Sequence, residues 1–235
     1  MAKASDAITT NAIKLKPHQL VELATYAVKH GLTIMVEGKP GIGKSQIIYG
    51  VGAALGYKTY VFHPPCDDPT DVKGMPSLRG DVARFLPFGE MADVIEACKR
   101  GERIIVFLDD FGQGTTAVQS SWMRPIQDKM TITGESLATA SFVLATNGRT
   151  DGAGVSGILE PIKSRCSWIV HLEPDLDDFC QFLYNMDARP EIPAFLRMRP
   201  ELLHKFERNA AIQNFPCPRT WVQGVDPALR AGFSP

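Results

Sequence analysis

Eight consecutive residues, Gly38-Lys39-Pro40-Gly41-Ile42-Gly43-Lys44-Ser45, follow the pattern G-x-x-x-x-G-K-S. Glycines at these spacings let backbone N–H groups turn inward around a polyphosphate, and a helix starting at the Lys-Ser pair offers its positive end to the same charge. Lys44 is then within reach of the β- and γ-phosphates, and the Ser45 hydroxyl is a ligand for Mg²⁺. With Gln46, these residues form the expected cradle for a nucleoside triphosphate. A plain glycine turn between strand and helix would explain neither Lys44 nor Ser45.

A second acidic feature lies further along. The apolar run Arg103 to Leu108 leads directly into Asp109-Asp110. A carboxylate at the tip of a buried strand, in the same sheet as the glycine loop, is suited to hold Mg²⁺ through water, and its neighbour can polarise an attacking water. The expected metal ligands are therefore Ser45 and Asp109, with Asp110 as the base. An acidic cap on a strand end is the simpler alternative for either carboxylate taken alone.

These residues need a particular scaffold. Leu32 to Val36 reads as a buried strand before the loop, and Lys44 to about Leu55 as the helix after it, closing at Gly56. Pro17 opens an earlier helix ending at Gly31, preceded by an extended lead-in over residues 1–16. Tyr57 to Phe62, Ala140 to Ala145 and Ser167 to His171 read as further strands, and Glu90 to Lys99, Thr115 to Lys129 and Gly157 to Lys163 as helices. Two short hairpins are expected, one turning at Arg79-Gly80-Asp81 and one over Thr131 to Ala138. Alternating strands and helices imply a parallel sheet covered on both faces, an α/β domain over residues 17–173. The β signal ends near Pro174. Asp175 to Tyr184, Pro193 to Arg197 and Glu201 to Arg208 then read as a small helical lid over 174–221, followed by a tail over 222–235.

Composition limits the remaining possibilities. The 235 residues carry 25 basic and 26 acidic side chains, a formal charge of −1, so no global field favours DNA or a membrane surface. The five cysteines are scattered and never spaced C-x-x-C, as suits reduced thiols in a cytoplasm. His63 and Cys66 are spaced like two metal ligands, but no second pair completes a zinc site. No run approaches the roughly 18 apolar residues of a membrane span, and a soluble cytoplasmic protein is expected.

From about His18 to Trp221 the chain resembles the AAA+ ATPases, most closely the MoxR-like and dynein-related branch. Five pieces in order carry the resemblance: Gly38 to Ser45, Ile104 to Asp110, Phe142 to Asn147, Leu159 to Arg165, and Phe215 to Trp221. The two hairpins match inserts of that branch. The resemblance implies a P-loop NTPase three-layer sandwich with a helical lid, binding ATP with Mg²⁺. It gives Asn147 the sensor role at a strand end, Arg165 the arginine finger offered to a neighbouring subunit, and Arg219 the lid contact with the phosphates. Arg149 is the reserve for Arg165. It further implies a homo-oligomeric ring, a hexamer, acting as a chaperone-type ATPase on a partner protein or complex. The family usually has Glu where this chain has Asp110, and one methylene less retracts the carboxylate by about 1.5 Å. Alternatives from other classes are a nucleotide-dependent assembly switch with little turnover, a small-molecule kinase, and a DNA-directed motor.

Overall fold

A computed structural model describes residues 13–148, 157–206 and 214–233. Its centre is a wholly parallel six-stranded sheet built from β1 (Ile13–Leu15), β2 (Ile34–Gly38), β3 (Lys58–Phe62), β6 (Ile104–Leu108), β7 (Ala140–Thr146) and β8 (Trp168–Leu172). The spatial order is β1-β8-β2-β7-β6-β3, so the glycine-loop strand β2 lies beside β7, and β7 beside the acidic strand β6. Strands β4 (Met75–Arg79) and β5 (Val82–Leu86) form a separate antiparallel hairpin that turns at left-handed Gly80.

Parallel strands buried on both faces read as unbroken apolar runs. Every residue of β6 and β7 is buried. Alternation along β6 sends Ile104, Val106 and Leu108 to one face, against α4 (Gly89–Lys99), α5 (Thr116–Ser121) and α6 (Met123–Asp128). Ile105 and Phe107 go to the other face, against α1 (Pro17–Lys29) and α2 (Lys44–Leu55). This is a three-layer sandwich with a core on each side of the sheet.

A third core belongs to the C-terminal helices. Phe179 and Leu183 of α8 (Leu176–Asn185) pack with Ile192 and Leu196 of α9 (Glu191–Met198) and with Leu203. Trp221, Val222, Val225 and Leu229 complete it. Residues 221–225 form a wide π-type turn, and α11 (Asp226–Arg230) follows, so the expected tail is helical as far as Arg230. Pro227 is the second residue of α11, directly after that wide turn.

Other expectations also change. Part of the lead-in, Ile13–Leu15, is an edge strand paired with β8. The helix expected over Thr115 to Lys129 breaks at Trp122 into α5 and α6, because Pro125 has no N–H to give the carbonyl of Ser121. The expected second hairpin reduces to a tight turn with one bridge, Met130 to Ser136. The helix expected from Gly157 is the single turn α7 (Glu160–Lys163). In place of a helix from Glu201, the described residues contain a 3₁₀ turn, Pro200–Leu202. Arg149 and Arg208 lie outside the described residues. No helix among the described residues is long and apolar enough to cross a membrane.

Candidate functional site

The chain leaves β2 at Gly38 and wraps into α2 through two glycines in the left-handed region, Gly41 at φ +77° and Gly43 at φ +96°. L side chains rarely adopt such angles. No side chain caps α2, and its first turn from Lys44 to Gln46 lines a cleft of ≈ 410 Å³. The orphan N–H groups that begin any α-helix are thereby turned toward the cleft.

Lys44 is buried, 7% exposed, and its ammonium donates to the carbonyls of Gly38 (2.7 Å) and Lys39 (3.1 Å) and to Asn147 Oδ1 (2.8 Å). Asn147, just past the end of β7, donates from Nδ2 to Asp110 Oδ1 at 3.1 Å. The Asp110 backbone N–H donates to Asp109 Oδ1 (3.0 Å), and Asp109 Oδ2 accepts from the Ser45 hydroxyl at 2.7 Å. Ser45 follows Lys44 in sequence, so the chain of bonds closes on itself. Three strand ends and one helix start converge in a single polar circuit.

Asp110 sits at φ +52°, a left-handed conformation that Asp tolerates better than most residues. That kink turns the chain from β6 into the 3₁₀ turn Phe111–Gln113 and sets the Asp110 carboxyl beside Asn147. Burial, and then the neighbouring charge of Asp109, push the Asp110 carboxyl above the ordinary carboxylate range, against the opposing pull of Lys44 and Arg219. Burial and the same Asp109 charge also raise the Tyr49 phenol, which lines the cleft one turn after Ser45.

The C-terminal helical segment meets the loop through backbone and side chain. Arg219, in the short helix α10 (Pro218–Thr220), donates its N–H to Gly41 O at 3.1 Å, and its residue lines the cleft. His204 Nε2 lies 3.0 Å from Pro40 O. A Cβ on Gly41 would approach Cys217 Sγ to 2.6 Å, so loop and lid are in close contact there. Phe179 and Phe182, stacked one turn apart on α8, form an apolar wall with Pro17 and Pro174. This wall escaped sequence reasoning. Its one signal was two aromatic residues at helical spacing in a segment read only as lid.

The fold thus brings Pro40 to Gln46, Asp109, Asp110, Asn147 and Arg219 to one cleft, with the Gly38 and Lys39 carbonyls bracing Lys44 from behind. Arg165 does not line it. Its Nε donates to Gln127 Oε1 at 2.5 Å, its guanidinium also bonds the Pro161 carbonyl, and it borders a separate shallow pocket with Ile126 and Ser164. The donor set suits a hard divalent cation. The Ser45 hydroxyl and Asp109 carboxylate meet at one point, and among the described residues no thiol or imidazole lines the cleft.

No protein-family model and no curated protein sequence matches the chain. Solved structures do resemble it. NtrX from Brucella abortus matches 94% of this chain and 52% of its own, at 14% identity and a TM-score of 0.54. RuvB from Thermotoga maritima, described as a Holliday junction branch migration motor, matches 74% of this chain and 51% of its own, at 17% identity and a TM-score of 0.46. An A156S variant of that RuvB gives 18% identity, 74% and 52% coverage, and a TM-score of 0.48. The chain spans about half the length of the solved chains it matches. Its fold is the three-layer α/β sandwich of P-loop NTPases, followed by a small helical unit.

Proposed function

We propose that the chain binds ATP with Mg²⁺ and hydrolyses it as a subunit of a homo-oligomeric ring, remodelling a partner protein in the manner of the MoxR-like branch. The observation that carries this reading is the closed circuit of Lys44, Asn147, Asp110, Asp109 and Ser45 around one cleft. Mg²⁺ held at Ser45 and Asp109 would neutralise charge on the β- and γ-phosphate oxygens.

The protein's own groups divide the remaining work. The backbone from Gly41 to Gln46 cradles the phosphates, and Lys44 moves its donors from Asn147 to the γ-phosphate. Asn147, released from Lys44, orients the attacking water together with Asp110. Asp110 accepts the water's proton, and its upward shift makes it a stronger base than an ordinary carboxylate. Arg219 closes the lid from the same subunit. Arg165, outside the cleft, is offered to the γ-phosphoryl of a neighbour, where a guanidinium stabilises spreading charge. The hairpin β4–β5 supplies gripping surface on both of its faces, since Met75 and Val82 on one and Leu78 and Phe85 on the other are all exposed, Leu78 at 76%.

Phosphate release measured against protein concentration tests the reading. Specific activity should rise with concentration and vanish in Arg165→Ala. A rate independent of both would refute the ring. Asp110, shorter than the family's Glu, favours a second reading, an assembly switch with little turnover. Nucleotide-dependent assembly without phosphate release would establish it.

A further inference from the structure

Gln119, on α5, is 1% exposed and uses its whole amide. Nε2 donates to the Gly114 carbonyl and the Gly157 carbonyl, each at 3.0 Å, and Oε1 accepts from the Leu159 N–H at 3.1 Å. This is the amide orientation that satisfies all three partners. We propose that Gln119 is a positioning residue that pins the start of α7 to the floor of the domain and so holds Arg165 in place for the neighbouring subunit. The inference rests on the reading of Arg165 as acting in trans.

The two ends of the bracket differ. At Gly114 the chain is tightly packed, since a Cβ there would come within 2.8 Å of Pro64 Cβ and 3.1 Å of Pro64 O. That end is fixed. At the other end, Leu159 is the N-cap of α7, and its carbonyl accepts from Ile162 (2.9 Å) and Lys163 (3.3 Å). A single turn cannot support itself, because nucleation costs more than one turn of hydrogen bonds returns. Helix α7 is held from outside by the buried Ile162 and by Gln119. Arg165 inherits its position, with its N–H bonded to Ile162 O (3.1 Å) and its guanidinium to Pro161 O. Removing the Gln119 amide takes its bonds away from the Gly114 and Gly157 carbonyls and the Leu159 N–H, and so frees the turn that carries Arg165.

Mixed assemblies separate this role from general support of the fold. Lys44→Ala subunits bind no nucleotide but offer Arg165, and Arg165→Ala subunits bind nucleotide but offer no arginine. Together they should release phosphate where neither does alone. Gln119→Met added to the Lys44→Ala subunit should cut that activity by about tenfold, whereas in the Arg165→Ala subunit it should cost less than about threefold. The thermal midpoint should fall equally in both placements. If Gln119→Met does not fold, Gln119→Glu keeps the acceptor for Leu159 and loses both donors, and the same asymmetry is expected. Equal losses in the two placements, or a larger loss in the Arg165→Ala subunit, overturn the inference alone. No activity in the starting mixture overturns the in-trans reading of Arg165, and the inference with it.

Discussion

Replacing Gly41 with alanine perturbs the cleft at a single atom, and the structure sets the size of the effect. Gly41 stands at φ +77°, where an alanine costs roughly 1–2 kcal/mol. Its Cβ would lie 2.6 Å from Cys217 Sγ and 3.3 Å from Cys217 Cβ. Relieving such overlap in a packed contact costs about 1–3 kcal/mol. The cheapest movement carries Cys217 away from the loop, and the bond from Arg219 N–H to Gly41 O is lost with it. Together the terms come to about 2–5 kcal/mol, and 2 kcal/mol spent on lid closure already weakens nucleotide binding about 30-fold. Titration of a fluorescent ATP analogue, alongside thermal unfolding, measures both channels. Cys217→Ala removes the sulfur and leaves only the 3.3 Å approach, so Gly41→Ala/Cys217→Ala should recover the overlap portion but not the backbone portion. Unchanged affinity and midpoint in Gly41→Ala would refute the reasoning. So would a double-mutant coupling below about 0.5 kcal/mol.

Three further perturbations follow from shifted ionisation. Hydrolysis should climb with pH along a limb set by Asp110, with a midpoint above the ordinary carboxylate range, and Arg219→Ala should move that limb higher still by removing an opposing cation; a limb unmoved in Arg219→Ala contradicts the electrostatic account. Because the folded pKa of Asp110 is raised, the ionised form costs stability above that pKa, so Asp110→Asn should raise the thermal midpoint at pH 7 while nearly stopping turnover. Lys129 Nζ, bonded to Ala140 O and set over the Phe142 ring, is lowered by burial to about 8. The folded state then binds fewer protons than the unfolded state between about pH 8 and 10.5, and stability rises through that window. Lys129→Met should be more stable than the parent at pH 7, by up to roughly 3 kcal/mol, with the gap closing above pH 8 in denaturant melts. A constant gap would place the cause elsewhere.

The site was more legible than the frame around it. Gly41, Gly43, Lys44 and Ser45 announce themselves because phosphate chemistry admits few substitutes, and the Asp pair is marked by the apolar run before it. The bond from Lys44 to Asn147 spans 103 positions, so only the order of strands in space could reveal it. Local errors have local causes. Pro125 carried the warning of the break at Trp122, but the apolar spacing on either side masked it. Ile13-Lys14-Leu15 is too short for its alternation to stand out, and its strand character comes from pairing with β8. The glycines and prolines after Trp221 suggested a tail, although Trp221, Val222, Val225 and Leu229 already recur at the spacing of a packed helical face. Gln119 had no signal at all, since a buried glutamine gains meaning only from the three backbone groups around it.

Calorimetric titration of ATP with Mg²⁺ into the parent chain and into Lys44→Ala tests the central claim most directly. Saturable binding that disappears with the Lys44 ammonium is the predicted result. Equal affinity in both chains would show that triphosphate binding, if any, does not use this cleft.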